Sequence, residues 1–123
     1  IDEDLIIPEN SNVLDSSVPT IVFTSKNNEQ KPNLEYIQID FDENILKRIM
    51  NILYRRNVQS IIIEGGRFLL DRFFEKDLWD EARVMIGNKV FHKGLKGPGF
   101  PDKPFVAEDF EKDRLLVFSN FVD

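Results

Sequence analysis

Cysteine is absent from this sequence, and histidine and tryptophan occur once each, as His92 and Trp79. Without thiols a disulfide framework is excluded, and a zinc centre of Cys and His ligands cannot be assembled from one imidazole. The same absence makes a reducing, cytoplasmic compartment the expectation. No apolar run approaches the roughly 20 residues that a membrane-spanning helix needs. Basic residues are the minority, 16 Lys and Arg against 22 Asp and Glu, for a net charge of −6. Nucleic acid, whose phosphates ask for a basic face, is therefore not an expected partner. A single dinucleotide stays compatible with this charge, since a few backbone amides and one or two cations can hold it.

What is present is an ordinary globular composition, 41% hydrophobic and 31% charged, with ring volume supplied by 11 phenylalanines. A chain of 123 residues is long enough for one domain with a core and short for two. It opens at Ile1 rather than Met and carries no signal-peptide pattern, so it reads as part of something longer.

Residues 1–19 mix Asp, Asn, Ser and Pro and read as an irregular arm. Thr20 to Ser25 is a β-branched and aromatic run, expected to be a buried strand, and Leu34 to Ile39 alternates as a half-buried strand does. Asp42 is a candidate N-cap for a helix in which Ile45, Leu46, Ile49, Ile52 and Leu53 recur at helical spacing. Asn57, tolerant of the left-handed conformation, should end it. Ser60-Ile61-Ile62-Ile63 is a continuous β-branched run, expected to be a strand covered on both faces. Glu64-Gly65-Gly66 breaks that run, and a helix should follow from Arg67 to Lys76. Ala82 to Val90 reads as a strand, residues 93–104 as a loop, and residues 105–110 and 115–121 as a closing hairpin. Alternation in the middle of this order implies an α/β fold with a mostly parallel sheet flanked by helices and an antiparallel hairpin at its end.

Chemistry concentrates at two strand exits. Ligands of open α/β sheets collect beyond the carboxyl ends of strands, where a helix N-terminus offers free N–H groups and positive partial charge. The turn at Gly65-Gly66 would let a phosphate approach the amides of Gly66 to Leu69, with Arg67 adding a formal charge. A Gly-Gly pair also serves a tight turn with close packing, so residue spacing alone leaves both readings open. Glu64 would lie beside any ligand there, or be simply solvated. Thr24-Ser25-Lys26 brings two hydroxyls and an ammonium to the other exit, a set suited to a phosphate monoester or to no ligand at all. Trp79 in Leu78-Trp79-Asp80-Glu81 is expected to anchor a helix–strand corner, and His92 to lie on the surface.

Taken together, Pro19–Thr24, Ile61–Leu70, Leu78–Val84 and Gly87–Phe91 resemble the reductase domain of bifunctional riboflavin-biosynthesis deaminase/reductases. The resemblance implies a dihydrofolate-reductase-like fold and NADPH-dependent reduction of the ribosyl ring of 5-amino-6-(5-phosphoribosylamino)uracil, a pyrimidine ribotide. It implies that Gly65, Gly66, Arg67, Phe68 and Leu69 hold the pyrophosphate, that Thr24, Ser25 and Lys26 lie near the adenosine phosphate, and that Glu64 lies near the substrate. No catalytic residue and no metal ligand is implied. The chain departs from the family at His92, where a glycine is expected. It also lacks a match to the family's opening segment, which carries much of the substrate pocket, and to the deaminase half. By this reading it is the later part of a single reductase domain, with pairing of its terminal strands into a homodimer expected. Two other readings stay open: another reductase of the dihydrofolate-reductase-like kind, and a non-catalytic nucleotide-binding or assembly module.

Overall fold

A computed structural model describes residues 1–100 and 104–121. Two compact units share the chain, Ile1–Ile61 and Ile62–Asp123, where the sequence suggests one domain without an internal boundary. Among the described residues each unit carries its own small sheet and one α-helix, and the first adds a 3-10 turn at Asn12–Leu14.

In the first unit, β1 (Thr20–Thr24) pairs in parallel with β2 (Leu34–Gln38), from Thr20 opposite Leu34 to Thr24 opposite Gln38. Their β-branched and aromatic residues suit this pleated, covered surface: Val22, Phe23, Thr24 and Leu34 are all buried. The connection is a loop without a helix. It is clasped by the Gln30 side chain, which donates to the Tyr36 carbonyl and accepts the Tyr36 amide, each at 2.9 Å. The opening arm is less irregular than its composition suggests. Asp2 donates its amide to the Phe23 carbonyl at 2.9 Å, and Ser25 donates its amide to the Glu3 carbonyl at 3.0 Å. The arm thus lies along β1. The buried Asp2 carboxylate accepts the amides of Ile6 and Ile7, each at 3.0 Å, fixing the turn in which Leu5 takes a φ of 56°.

Helix α1 (Ile45–Arg55) buries Ile45, Leu46 and Ile49 on one face. Its N-cap is Asn44 rather than the expected Asp42. Asp42 instead closes the preceding turn: its Oδ1 accepts the Asn44 amide at 2.8 Å and its carbonyl accepts the Ile45 amide at 3.2 Å. An Asx turn satisfies the same carboxylate two residues early. At the far end Asn57 does adopt the left-handed conformation, with φ 60°. Val58 donates to the Leu53 carbonyl and Asn57 to that of Tyr54, the paired bonds of a Schellman motif.

In the second unit, α2 (Arg67–Glu75) ends in the same way. Asp77 has φ 55° and donates to Phe74, while Leu78 donates to Phe73. The chain then enters β3 (Glu81–Ile86), which with β4 (Val106–Phe110) and β5 (Asp113–Ser119) forms an antiparallel sheet in the order β3-β5-β4. The expected closing hairpin is β4–β5, turned by Glu111-Lys112, with Glu111 at φ 51°. Across it Arg114 faces Asp109 and pairs with it at 2.8 Å. β3 stops at Ile86, ahead of Gly87, and positions 101–103 of the expected loop lie outside the described residues. The corner between α2 and β3 is built as expected on Trp79, whose ring packs edge-on against Phe74 at 5.0 Å. Asn120 locks that corner: its side-chain amide donates to Asp77 Oδ1 at 2.7 Å and to the Trp79 carbonyl at 2.9 Å.

One expected strand is missing. Residues 60–63 form no strand among the described residues, and Ile62 is 86% exposed rather than covered. Three β-branched residues favour extended backbone, but a strand also needs a partner ladder, and this run has none. The boundary between the two units falls inside it. The α/β fold is therefore mixed in a particular way: its parallel pairing is β1–β2 and its antiparallel pairings are those of β3, β4 and β5.

Candidate functional site

The Gly-Gly turn opens onto a helix whose first amides are free. Gly66 is the N-cap of α2, with φ −69° and ψ 163°, and no side chain caps the helix. Leu69 and Leu70 both donate to the Gly66 carbonyl, at 3.0 and 3.3 Å. The amides of Arg67 and Phe68 have no backbone acceptor among the described residues. Unsatisfied donors at a helix start carry positive partial charge and point outward, which is the arrangement an anion fits.

The two glycines have different reasons to be there. A Cβ on Gly65 would stand 2.9 Å from Leu69 Cδ2, so this position packs against the helix it precedes. A Cβ on Gly66 would meet nothing within 4 Å, and the backbone there is extended, which any residue adopts. Neither conformation nor packing among the described residues requires glycine at 66.

Around that turn Glu64 is exposed and Leu69 is half-buried. Arg67 is not a free cation, because its Nε donates to Asp71 Oδ2 at 3.0 Å, one helical turn on. Phe68 is 74% exposed, with the Arg72 guanidinium 4.7 Å from its ring centroid. The pyrophosphate set named from sequence therefore stands together on one turn, with its amides rather than Arg67 as the open donors.

Thr24, Ser25 and Lys26 belong to the other unit and are engaged differently. Thr24 is fully buried and its hydroxyl donates to the Glu3 carbonyl at 2.9 Å. The Ser25 hydroxyl donates to that same carbonyl at 2.9 Å, and Lys26 Nζ lies 3.1 Å from Asp4 Oδ1. Beside them, past the carboxyl ends of β1 and β2, is an open groove of about 630 Å³ lined by Ser25, residues 38–42 and Arg48. Arg48 belongs to α1. In the fold its Nη1 donates to the Asp40 carbonyl at 2.6 Å and its Nη2 to Asp42 Oδ2 at 2.9 Å. The hydrogen bond from Arg48 holds the Asp42 carboxyl below its ordinary range, with the Asn44 amide adding to the effect. Among the described residues no group of acidic and histidine side chains is placed to hold a metal ion, and no helix is long and apolar enough to cross a membrane. His92 is exposed.

The family model of the RibD C-terminal domain matches residues 1–120. The chain belongs to the RibD C-terminal domain family. Two solved structures are similar to it. One is a diaminohydroxyphosphoribosylaminopyrimidine deaminase/5-amino-6-(5-phosphoribosylamino)uracil reductase of Thermotoga maritima, at 25% identity and a TM-score of 0.65, matching 81% of this chain and 30% of that one. The other is a RibD of Acinetobacter baumannii, at 15% identity and a TM-score of 0.74, matching 96% of this chain and 36% of that one. The second likeness speaks to fold alone, and the fold is the mixed, dihydrofolate-reductase-like α/β arrangement of RibD reductase domains. The chain spans about a third of the length of either protein.

Proposed function

We propose that this chain is the dinucleotide-holding part of a reductase of riboflavin biosynthesis. Its reaction is the NADPH-dependent reduction of 5-amino-6-(5-phosphoribosylamino)uracil to the ribityl product. The observation that carries the reading is Gly66, a glycine that no conformational or packing demand of the chain explains, at the mouth of an uncapped helix. In this reading the Arg67 and Phe68 amides donate to pyrophosphate oxygens, and the missing Cβ at 66 lets those oxygens reach them. Gly65 seats the turn on Leu69 so that the amides keep their aim. Glu64 accepts a hydrogen bond from the substrate beside them. When bound, the nicotinamide supplies the hydride. One proton accompanies that hydride and is drawn from solvent, and the protein's part is to orient nicotinamide and substrate.

The Gly66 turn offers open donors, whereas the hydroxyls and ammonium of Thr24, Ser25 and Lys26 are taken up by the arm. The setting of the reaction is cytoplasmic. Among the described residues the outer strands β3 and β4 have one pairing neighbour each, and Met85 on β3 is 75% exposed. A homodimer formed by pairing such an edge is part of the proposal.

The test is a titration of the chain with NADPH and NADH, read by nicotinamide fluorescence. Saturable binding of at least one is expected. Absence of binding of both at about millimolar nucleotide, a limit of about −4 kcal/mol, would overturn the proposal.

A further inference from the structure

A guanidinium in the last turn of a helix ordinarily finds its partners at the free carbonyls of that end, where positive charge is favoured. Arg72 stands in the last turn of α2, yet its guanidinium lies over the Phe68 ring, 4.7 Å from the centroid. Residues four apart share a helix face, and helical side chains lean towards the N-terminus. The charge of Arg72 is thereby carried about one turn back along α2, towards Gly66.

The two arginines of α2 differ in what they have left to give. Arg67, nearer the turn in sequence, is paired through its Nε with Asp71 at 3.0 Å. Arg72 is exposed and has no carboxylate partner among the described residues. Phe68 is 74% exposed, so its ring holds the cation at the surface rather than in the core. The face of α2 that begins beside the open amides thus carries a positive charge that no acidic group offsets.

We infer that Arg72, perched on Phe68, supplies the formal positive charge to the anion at the Gly66 turn, in place of Arg67. The inference rests on the reading that a dinucleotide's phosphates sit at that turn. Arg72 is a binding residue in this account, and Phe68 is a positioning residue that acts through it.

Titrations of the intact chain with NADPH at about 0.01 M and about 1 M salt, between which the screening length falls from about 30 Å to about 3 Å, test this. Arg72→Gln keeps helix propensity and removes the charge. It is expected to weaken NADPH about two- to fivefold at low salt, the scale of one exposed ion pair, and to match the wild type at high salt. The neutral double change Arg67→Gln/Asp71→Asn is expected to leave affinity unaltered at both. Phe68→Leu is expected to weaken binding at low salt in the wild type and to add nothing once Arg72 is glutamine. Wild-type affinity of Arg72→Gln at low salt would overturn the inference and leave the dinucleotide reading standing, as would a loss in the Arg67→Gln/Asp71→Asn variant as large as that in Arg72→Gln. Equal losses from Phe68→Leu in both backgrounds would overturn the part given to Phe68. Failure of the wild type to bind NADPH or NADH would overturn the dinucleotide reading and this inference with it.

Discussion

Replacing Gly66 by aspartate should stabilise the protein and cost it its nucleotide. The N-cap position of α2 has extended backbone, an empty side-chain direction and an unpaired Phe68 amide two residues on. An aspartate there can cap that amide. Asp exceeds Gly as an N-cap by a few tenths of a kcal/mol, and its charge at the positive end of the helix adds about 0.3–1 kcal/mol. A net gain of about 0.5–1 kcal/mol corresponds to a rise in Tm of about 2–5 °C for a domain of this size. The same carboxylate would face the bound pyrophosphate. Two unit charges at about 4 Å repel by about 1 kcal/mol in water and about 4 kcal/mol at the effective dielectric of a protein surface. A loss on the order of a hundredfold in affinity falls between those limits. Gly66→Asn separates the two effects, since it caps comparably without the charge and should lose less affinity than Gly66→Asp. Thermal unfolding followed by circular dichroism reads the first quantity and nicotinamide fluorescence the second. Wild-type nucleotide affinity in Gly66→Asp would refute the assignment of phosphate to this turn, whatever its effect on Tm.

Two further predictions concern the scaffold. Asn120→Ala removes both side-chain bonds that tie the end of β5 to Asp77 and Trp79, and should cost about 1–3 kcal/mol in urea unfolding; an unchanged midpoint would count against this lock. Glu35 on β2 is held by both Nη atoms of Arg56, each at 2.6 Å, and that hydrogen-bonded guanidinium lowers its pKa from the ordinary 4.5. Because the folded pKa lies below the unfolded one, the pair's stabilisation is present above about pH 4.5 and fades as pH falls through the lowered folded value. Glu35→Gln should therefore flatten the acid side of the stability–pH curve, and an identical curve in the variant would show the pair to be inconsequential.

Much of this molecule follows from local pattern. The helical spacing of Ile45, Leu46 and Ile49, the left-handed tolerance of Asn57, the β-branched run at 20–24 and the closing hairpin all report interactions among residues near in sequence. The failures have one cause. Ile61-Ile62-Ile63 has the composition of a buried strand, but pairing is a property of the partner, and the segment has none among the described residues. Lys26 reads as an available cation until the arm returns along β1 and brings Asp4 to it. The Gly66 turn stood out in the sequence because a β-branched run, two glycines and a helix start are contiguous. The difference between the two glycines was not legible there: Gly65 packs against Leu69, while a Cβ at Gly66 would meet nothing within 4 Å.

In the proposed function the first amides of α2 meet the dinucleotide's phosphates. Backbone amide resonances of the 15N-labelled chain, followed during titration with NADH and with NADPH, report this directly. The largest changes should fall on Gly66, Arg67 and Phe68 and be the same for both nucleotides, since the pyrophosphate is common to them. Saturable binding that leaves those three amides unmoved would contradict the account.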